Sequence, residues 1–305
     1  MRVLIAVDSS QCSQRAIAEA MTRPWPANST FCVLNSVDIM RLAGRPPLVT
    51  QASKEGEHLV KESAAVLSRV GWPVLHQVVV GSPRHAIPLY AEEWRADLIL
   101  IGSHGQGAIA RFLLGSVAQG ILRKARCSVE IVRALSDAAL PSSHAMKILV
   151  ATDGSECSLA AVHSVARRPW PAGTLFQVLS VEELVPVSPL IGVYSSAAFY
   201  PATLVEEIVE ESRARASAAE ELARKILARA GLKMESQKPL AVGDPRSIIL
   251  DIAQTWPADL IVLGSHGRSR LDRILLGSVS EAVAVHAHCS VEVIRTSAAE
   301  AEAST

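Results

Sequence analysis

Short runs of consecutive apolar residues set the rhythm of this chain. Val3-Leu4-Ile5-Ala6-Val7 stops at Asp8-Ser9-Ser10, and further runs occupy 31–37, 74–80, 97–101 and 128–132. Runs this short and this apolar suit strands buried on both faces of a parallel sheet. Helical patterns fill the gaps. One starts after Ser9 or Ser10. A second, 54–70, ends at Gly71, a suitable left-handed C′ residue. A third opens at Ser82-Pro83, an N-cap with Pro in the first turn, where Pro88 a turn later is expected to disturb it. A fourth starts at Ser116. Strands alternating with helices predict βαβ units and an α/β fold.

The same order then repeats. Strands are expected near 148–152, 175–181, 233–242, 259–263 and 290–294. Asp153-Gly154-Ser155 stands where Asp8-Ser9-Ser10 stood, and Pro-Trp-Pro-Ala occurs at both 24–27 and 169–172. This is an internal duplication. The second long helix of the second copy has Thr203 and Glu206 at capping-box spacing. It carries an apolar stripe of Leu204, Ile208, Leu222, Ile226 and Leu227 and ends at Gly231; Asp244-Pro245 opens the next helix. The pattern divides the chain into repeat 1 (1–133), a small, polar, Pro-containing linker (134–145), repeat 2 (146–296) and a disordered Ala/Glu/Ser tail (297–305). The copies differ most after their second strands. Repeat 1 has about fifteen residues there, including Gly44-Arg45-Pro46-Pro47; repeat 2 has Val185-Pro186 through Pro201, with Tyr194, Phe199 and Tyr200. A connection this long is a lid or contact surface, or a mobile surface loop.

One polar stretch is also carried twice. Gly102-Ser103-His104-Gly105 is followed nine residues later by Gly115-Ser116, and Gly264-Ser265-His266-Gly267 nine residues later by Gly277-Ser278. Each lies between an apolar run and a helix start. Glycines let the backbone approach an anion, and free N–H groups at a helix N-terminus hold it. The alternative is a pair of tight turns with a Ser N-cap.

Composition narrows the function. The 30 basic and 30 acidic residues cancel, which argues against nucleic acid or an anionic membrane as the main partner. Three Tyr, four Phe and five Trp offer little for base stacking. The five cysteines include two repeat-equivalent pairs, Cys12 with Cys157 and Cys127 with Cys289, and no CxxC. Buried thiols in a reducing cytoplasm fit better than a disulfide framework. The opening apolar run is too short for a signal sequence, and no run approaches a membrane span.

Asp at the end of strand 1, the G-x-x-G-x9-G-S motif after strand 4 and two copies in one chain together resemble the universal stress protein family, specifically tandem members of the ATP-binding type. The resemblance implies, for each repeat, a five-stranded parallel sheet of order 3-2-1-4-5 with helices on both faces. It places a ligand crevice where the strand order reverses, between strands 1 and 4. It implies ATP, with Mg2+, as cofactor. Asp8 and Asp153 would meet the adenosine end. Val181 would flank adenine; repeat 1 departs here, with Ser36 at the matching position followed by Val37. Ile101 and Leu263 would border the base. Gly102, Gly105, Gly264 and Gly267 would lie beside ribose and phosphates. Gly115-Ser116-Val117 and Gly277-Ser278-Val279 would hold phosphate. Gly81 and Gly243 would border the ribose. Repeat 2 adds Arg268, Arg270 and Arg273 where repeat 1 has only Arg111, which favours phosphate at repeat 2. The last strands, 128–132 and 290–294, would pair the repeats as a pseudo-dimer, and whole chains would form a homodimer.

Other chemistry is less well supported. Ser103-His104 and Ser265-His266 are adjacent, and adjacent side chains are not expected to meet as nucleophile and base. His286-Ala287-His288-Cys289 suggests a metal, but repeat 1 has Lys124-Ala125-Arg126-Cys127 there, so cations at a helix end explain it better. No Walker lysine or complete dinucleotide fingerprint occurs. Three functions stay open: a nucleotide-dependent stress or signalling module with little catalysis, a slow ATP hydrolase or adenylyl-transfer enzyme using the same crevice, and a nucleotide-free dimerisation module.

Overall fold

The computed structural model of the chain describes residues 1–40, 45–105, 114–133, 145–183, 202–267 and 276–296. Repeat 1 runs β1 (Arg2–Ala6), α1 (Gln11–Thr22), β2 (Thr30–Val37), α2 (Pro46–Ser68), β3 (Val74–Val80), α3 (Pro83–Glu93), β4 (Leu98–Gly102), α4 (Ser116–Lys124) and β5 (Ser128–Val132). Repeat 2 runs β6 (Lys147–Ala151), α5 (Glu156–Arg167), β7 (Leu175–Leu179), β8 (Val181–Glu183), α6 (Ala202–Arg229), β9 (Ala241–Gly243), α7 (Pro245–Thr255), β10 (Leu260–Gly264), α8 (Ser278–His286) and β11 (Ser290–Ile294).

Nine strands form one sheet in the order β3-β2-β1-β4-β5-β11-β10-β6-β7. Within each repeat the pairing is parallel, and β5 and β11 join the repeats antiparallel, Val291 opposite Ile131 and Val293 opposite Val129. The pseudo-dimer through the last strands is therefore built into the chain. Strand residues alternate between faces, and both faces are covered. Val3, Ile5 and Phe31 pack with Leu67 of α2, and Ile148, Val150 and Phe176 pack with Leu227 of α6. On the other face Leu4, Ile121, Ile131, Leu149, Val283 and Val293 belong to one core that crosses from repeat 1 into repeat 2. The burial of both faces explains why the inner strands β1, β4, β6 and β10 read as nearly unbroken apolar runs.

Two arginines cross the junction reciprocally. Arg133, just after β5, donates from Nη2 to the carbonyls of Ala284 and Val285 near the end of α8, at 2.8 and 2.9 Å. Arg295, just after β11, donates to the Leu122 carbonyl of α4 at 3.0 Å. Each repeat thus satisfies orphan carbonyls of the other's last helix.

Several elements differ from expectation. In repeat 2 the second strand breaks at Ser180 into β7 and β8, and the expected strand 233–242 shrinks to a Phe176–Met234 bridge and β9. The polar Glu235-Ser236-Gln237-Lys238 run has nothing to bury, and Pro239 lacks the donor a ladder needs. The second helix of repeat 1 begins at Pro46, not near residue 54, because Pro46 and Pro47 occupy its first turn, where no backbone N–H is required. α3 runs unbroken through Pro88, whose ring is buried with Ile87 and Ala91. α6 already begins at Ala202, so Thr203 is inside the helix rather than its cap. Its buried stripe is of small residues, Ser212, Ala216, Ala219 and Ala223, with Leu227, while Leu222 is 44% exposed. Gly71 and Gly231 do end their helices at positive φ, +86° and +74°. Residues 134–144 of the linker, the tail and the 185–201 connection with Tyr194, Phe199 and Tyr200 lie outside the described residues.

Candidate functional site

β1 sits between β2 and β4, and β6 between β7 and β10. The chain leaves β6 toward β7 and later returns on the other side as β10, so the carboxyl ends of β6 and β10 diverge. There a cleft of about 280 Å³ opens. Asp153, Val181, Leu263, Gly264, Gly267, Gly277, Ser278 and Val279, all expected from sequence, line it together. Arg268, Arg270 and Arg273 lie outside the described residues, as does Arg111.

The aspartate is placed by its own turn. Ser155 donates to Asp153 Oδ1 from its backbone at 3.0 Å and from its hydroxyl, while Ser155 also caps α5 by accepting from the Ser158 N–H. Asp8 is held likewise: the Ser10 N–H donates to Oδ1 at 3.0 Å and the Ser13 hydroxyl at 2.6 Å. The other carboxylate oxygen faces the glycine loop. A Cβ on Gly267 would lie 2.7 Å from Asp153 Oδ2, and one on Gly105 2.8 Å from Asp8 Oδ2. Gly102 and Gly264 have a different cause. Their added Cβ atoms would strike the backbone of Cys12 or Cys157, at 2.7 Å in both cases, so these two let a helix start pack on a strand end.

The second glycine pair fixes the helix starts. Gly115 N–H donates to the Ser103 carbonyl at 2.8 Å, and Gly277 N–H to the Ser265 carbonyl at 2.7 Å. Gly115 and Gly277 are themselves the N-caps of α4 and α8 and offer no side-chain cap. Ser116 and Ser278 are therefore first helical residues, not caps. In α1 and α5, by contrast, a serine closes the helix start. Ser278, Val279 and Ser280 of the first turn of α8 line the cleft, and no side chain caps that turn; an uncapped helix N-terminus is the kind of end that holds an anion.

Repeat 1 matches strand for strand, since Ala6 pairs with Leu34 as Ala151 pairs with Leu179. Ser36 therefore stands where Val181 stands. Its hydroxyl donates to the Gly81 carbonyl at 2.9 Å, and Val37 beside it is buried. Ile101 of β4 pairs with Ala6, Gly102 ends the strand, and Ser116 and Val117 open α4.

Sequence reasoning missed the α6 wall. Ser212, Arg215 and Ala216, at i, i+3 and i+4, line the cleft, as do Ser180 and Ile249. The helical spacing was legible, but nothing in the residue types marks a ligand wall.

The adjacent Ser and His side chains do meet, contrary to expectation: Ser103 Oγ is 3.0 Å from His104 Nδ1, and Ser265 Oγ 3.0 Å from His266 Nδ1. His266 Nε2 is 3.2 Å from Cys157 Sγ, and burial pushes that thiol above its ordinary pKa. Burial, with Arg133 nearby, pulls the His104 imidazole below its ordinary value. Both effects favour neutral groups beside the loop.

Sheet order, crevice and paired glycine loops define a tandem, doubly wound α/β protein with a cleft at the strand reversal of its second repeat. A profile of the universal stress protein family matches residues 1–133 and 145–295; the chain belongs to that family. It is 27% identical over 311 residues to a universal stress protein of Mycobacterium tuberculosis, covering 97% of this chain and 96% of that one. It is 33% identical over 150 residues to one of Methanocaldococcus jannaschii, covering 49% of this chain and 81% of that relative. The crystal structure of a universal stress protein from Archaeoglobus fulgidus superposes with a TM-score of 0.64 at 19% identity, covering 98% of this chain and 97% of that one, a likeness of fold. Among the described residues no helix is long and apolar enough to cross a membrane.

Proposed function

We propose that the chain is an ATP-binding stress or signalling module that holds adenine nucleotide in the repeat 2 cleft, with a second site in repeat 1. The observation that carries this is the α8 start: a glycine-capped helix N-terminus opening into a cleft that apolar Val181 and Ile249 also line. Phosphates would take the backbone N–H groups of Ser278 and Val279 and the Ser278 hydroxyl. The base would lie against Val181 and Leu263, and Asp153 would receive ribose hydroxyls. Gly267 supports the reading because any side chain there would displace Asp153. The cleft's carboxylates among its described lining residues are Asp153 and Glu183. Mg2+ would therefore come with the nucleotide, held by its phosphates rather than by a protein cage.

Binding in such a cleft would shift conformation or partner affinity by its own free energy. A second reading, slow ATP hydrolysis, draws on His266, which lines the cleft bonded to Ser265. Mass spectrometry of ligand released from native protein, followed by ADP measurement after ATP is added, tests both. Bound ATP without turnover is expected; protein that neither carries nor takes up adenine nucleotide sinks the proposal.

A further inference from the structure

Asn35 and Ser180 occupy the same place in the two repeats, one residue past the paired Leu34 and Leu179. Their surroundings differ. Asn35 Nδ2 donates to the Val7 carbonyl at 2.8 Å. Its Oδ1 fills the space over Gly56 in α2, where a Cβ would come within 2.6 Å. The carboxamide thus plugs the floor beside the end of β1. Gly56 lies fifteen residues before Gly71, and Ala216 fifteen before Gly231, so Ala216 is the counterpart of Gly56. Repeat 2 exchanges the Asn/Gly pair for Ser180 and Ala216. Two side-chain heavy atoms leave, one methyl arrives, and the plug is gone.

What remains is a hydroxyl with nothing to bond. Ser180 is 2% exposed, and its Oγ finds no hydrogen-bond partner among the described residues. Buried hydroxyls are normally partnered, and one left alone is a cost that needs an explanation. Ser180 lines the cleft, as do Val181, Ala216 and Ser212 around it. In the sheet, β6 separates β7 from β10. Ser180 therefore lies about two strand spacings, ~10 Å, from the loop that leads to the α8 start. That is the base end of a nucleotide whose phosphates rest on α8.

We propose that Ser180 is the specificity-determining contact of the repeat 2 cleft, its hydroxyl hydrogen-bonding the polar edge of a bound purine base. In repeat 1, Asn35 closes the same floor and spends its amide on the protein. The two clefts then differ in how they hold a base, not only in how they hold phosphate. The proposal rests on the nucleotide reading given above.

The test uses the full chain carrying Asp8→Ala, which leaves repeat 2 to report. ATP is titrated calorimetrically, and the ligand-free protein is melted in parallel. Ser180→Ala is expected to weaken ATP about three- to tenfold, the worth of one hydrogen bond. The ligand-free melting temperature should hold or rise, because an unpartnered buried hydroxyl has been removed. The double variant Ser180→Asn, Ala216→Gly restores the repeat 1 packing; it should fold normally and lose more than tenfold in ATP affinity. Unchanged ATP affinity in either variant overturns the proposal while leaving the nucleotide reading intact. So does a Ser180→Ala protein whose ligand-free stability falls along with its affinity, since the hydroxyl would then be structural. Failure of the parent chain to bind ATP overturns the nucleotide reading and this proposal with it.

Discussion

Glu130 and Glu292 stand directly opposite each other across β5 and β11, both fully buried. Two like charges at the centre of a sheet would destabilise the junction, but each is gripped by an arginine of its own repeat. Arg23 donates to Glu130 at 2.7 and 2.6 Å, and Arg168 to Glu292 at 2.9 and 2.8 Å. Arg23 also lies 5.5 Å from the Trp25 ring and 5.8 Å from Trp170 of the other repeat. Burial alone would lower its pKa, but Glu130, Glu19 and Glu292 together drive it above its ordinary value. With Glu19, which Arg23 also binds at 2.7 Å, these side chains form one cluster that spans the seam between β5 and β11.

Such a cluster is costly to break and cheap to replace. Glu130→Gln takes the buried counter-charge from the Arg23 guanidinium and leaves it Glu19, paired at 2.7 Å; the loss is expected to cost about 3 kcal/mol, the low end for breaking a buried pair. The double replacement Arg23→Met, Glu130→Leu should cost much less, since it removes both desolvated charges together. Urea denaturation of the two variants decides the matter. A double variant as unstable as the single would show that the pair contributes net stability rather than register.

The glycines of each loop separate by the same kind of reasoning. Gly264→Ala drives a Cβ into the backbone between Cys157 and Ser158 and should destabilise the fold by roughly 2–4 kcal/mol, as overpacking against rigid backbone does. Gly267→Ala meets only the Asp153 carboxylate, on an exposed loop residue. It should leave the melting temperature within a few degrees yet abolish nucleotide binding in repeat 2. Thermal melts with ATP titrations separate the two, and equal losses of stability would contradict the assignment.

How much of this was legible in sequence follows from what each signal reports. The parallel sheet was readable because both its faces are buried, which makes runs such as Val3–Val7 apolar throughout. The glycine loops were readable because Gly264 and Gly267 have no tolerable substitute, for packing in one case and for Asp153 in the other. The α6 wall was not, because Ser212 and Ala216 are small residues that any helix could carry. The break of the second strand at Ser180 was not, because it arises from the weak neighbouring strand around Pro239, not from Ser180 itself. The Ser–His contact was missed because adjacency argues against it unless a tight turn brings the two side chains to one side.

Acid should weaken the chain through two imidazoles. His104 and His288 are both held below the ordinary value of 6.5, first by burial and then by Arg133. Below pH 6.5 the unfolded chain binds protons that the folded chain resists, so folding stability rises with pH through this window. It is fully present above about 6.5 and declines as pH falls toward their lowered values. The double variant His104→Gln, His288→Gln should lose less melting temperature than the parent between pH 7.5 and 5.5. An identical loss in both would assign acid sensitivity to other groups.

The two clefts should bind ATP unequally, with repeat 2 the tighter. Val181 would present an apolar wall to a bound base, where repeat 1 has Ser36, whose hydroxyl is already committed to the Gly81 carbonyl. Replacing an apolar contact of this size with a half-buried polar group is worth about 1–2 kcal/mol, or roughly five- to thirtyfold in affinity. The extra cations Arg268, Arg270 and Arg273 in the repeat 2 sequence would act in the same direction on phosphate. Calorimetric titration of ATP into Asp153→Ala and Asp8→Ala chains resolves the sites. Asp153→Ala should remove the tight phase and leave weak or no binding, while Asp8→Ala should leave the tight phase intact. Tight binding that survives Asp153→Ala and disappears in Asp8→Ala would assign the stronger site to repeat 1 and overturn the order.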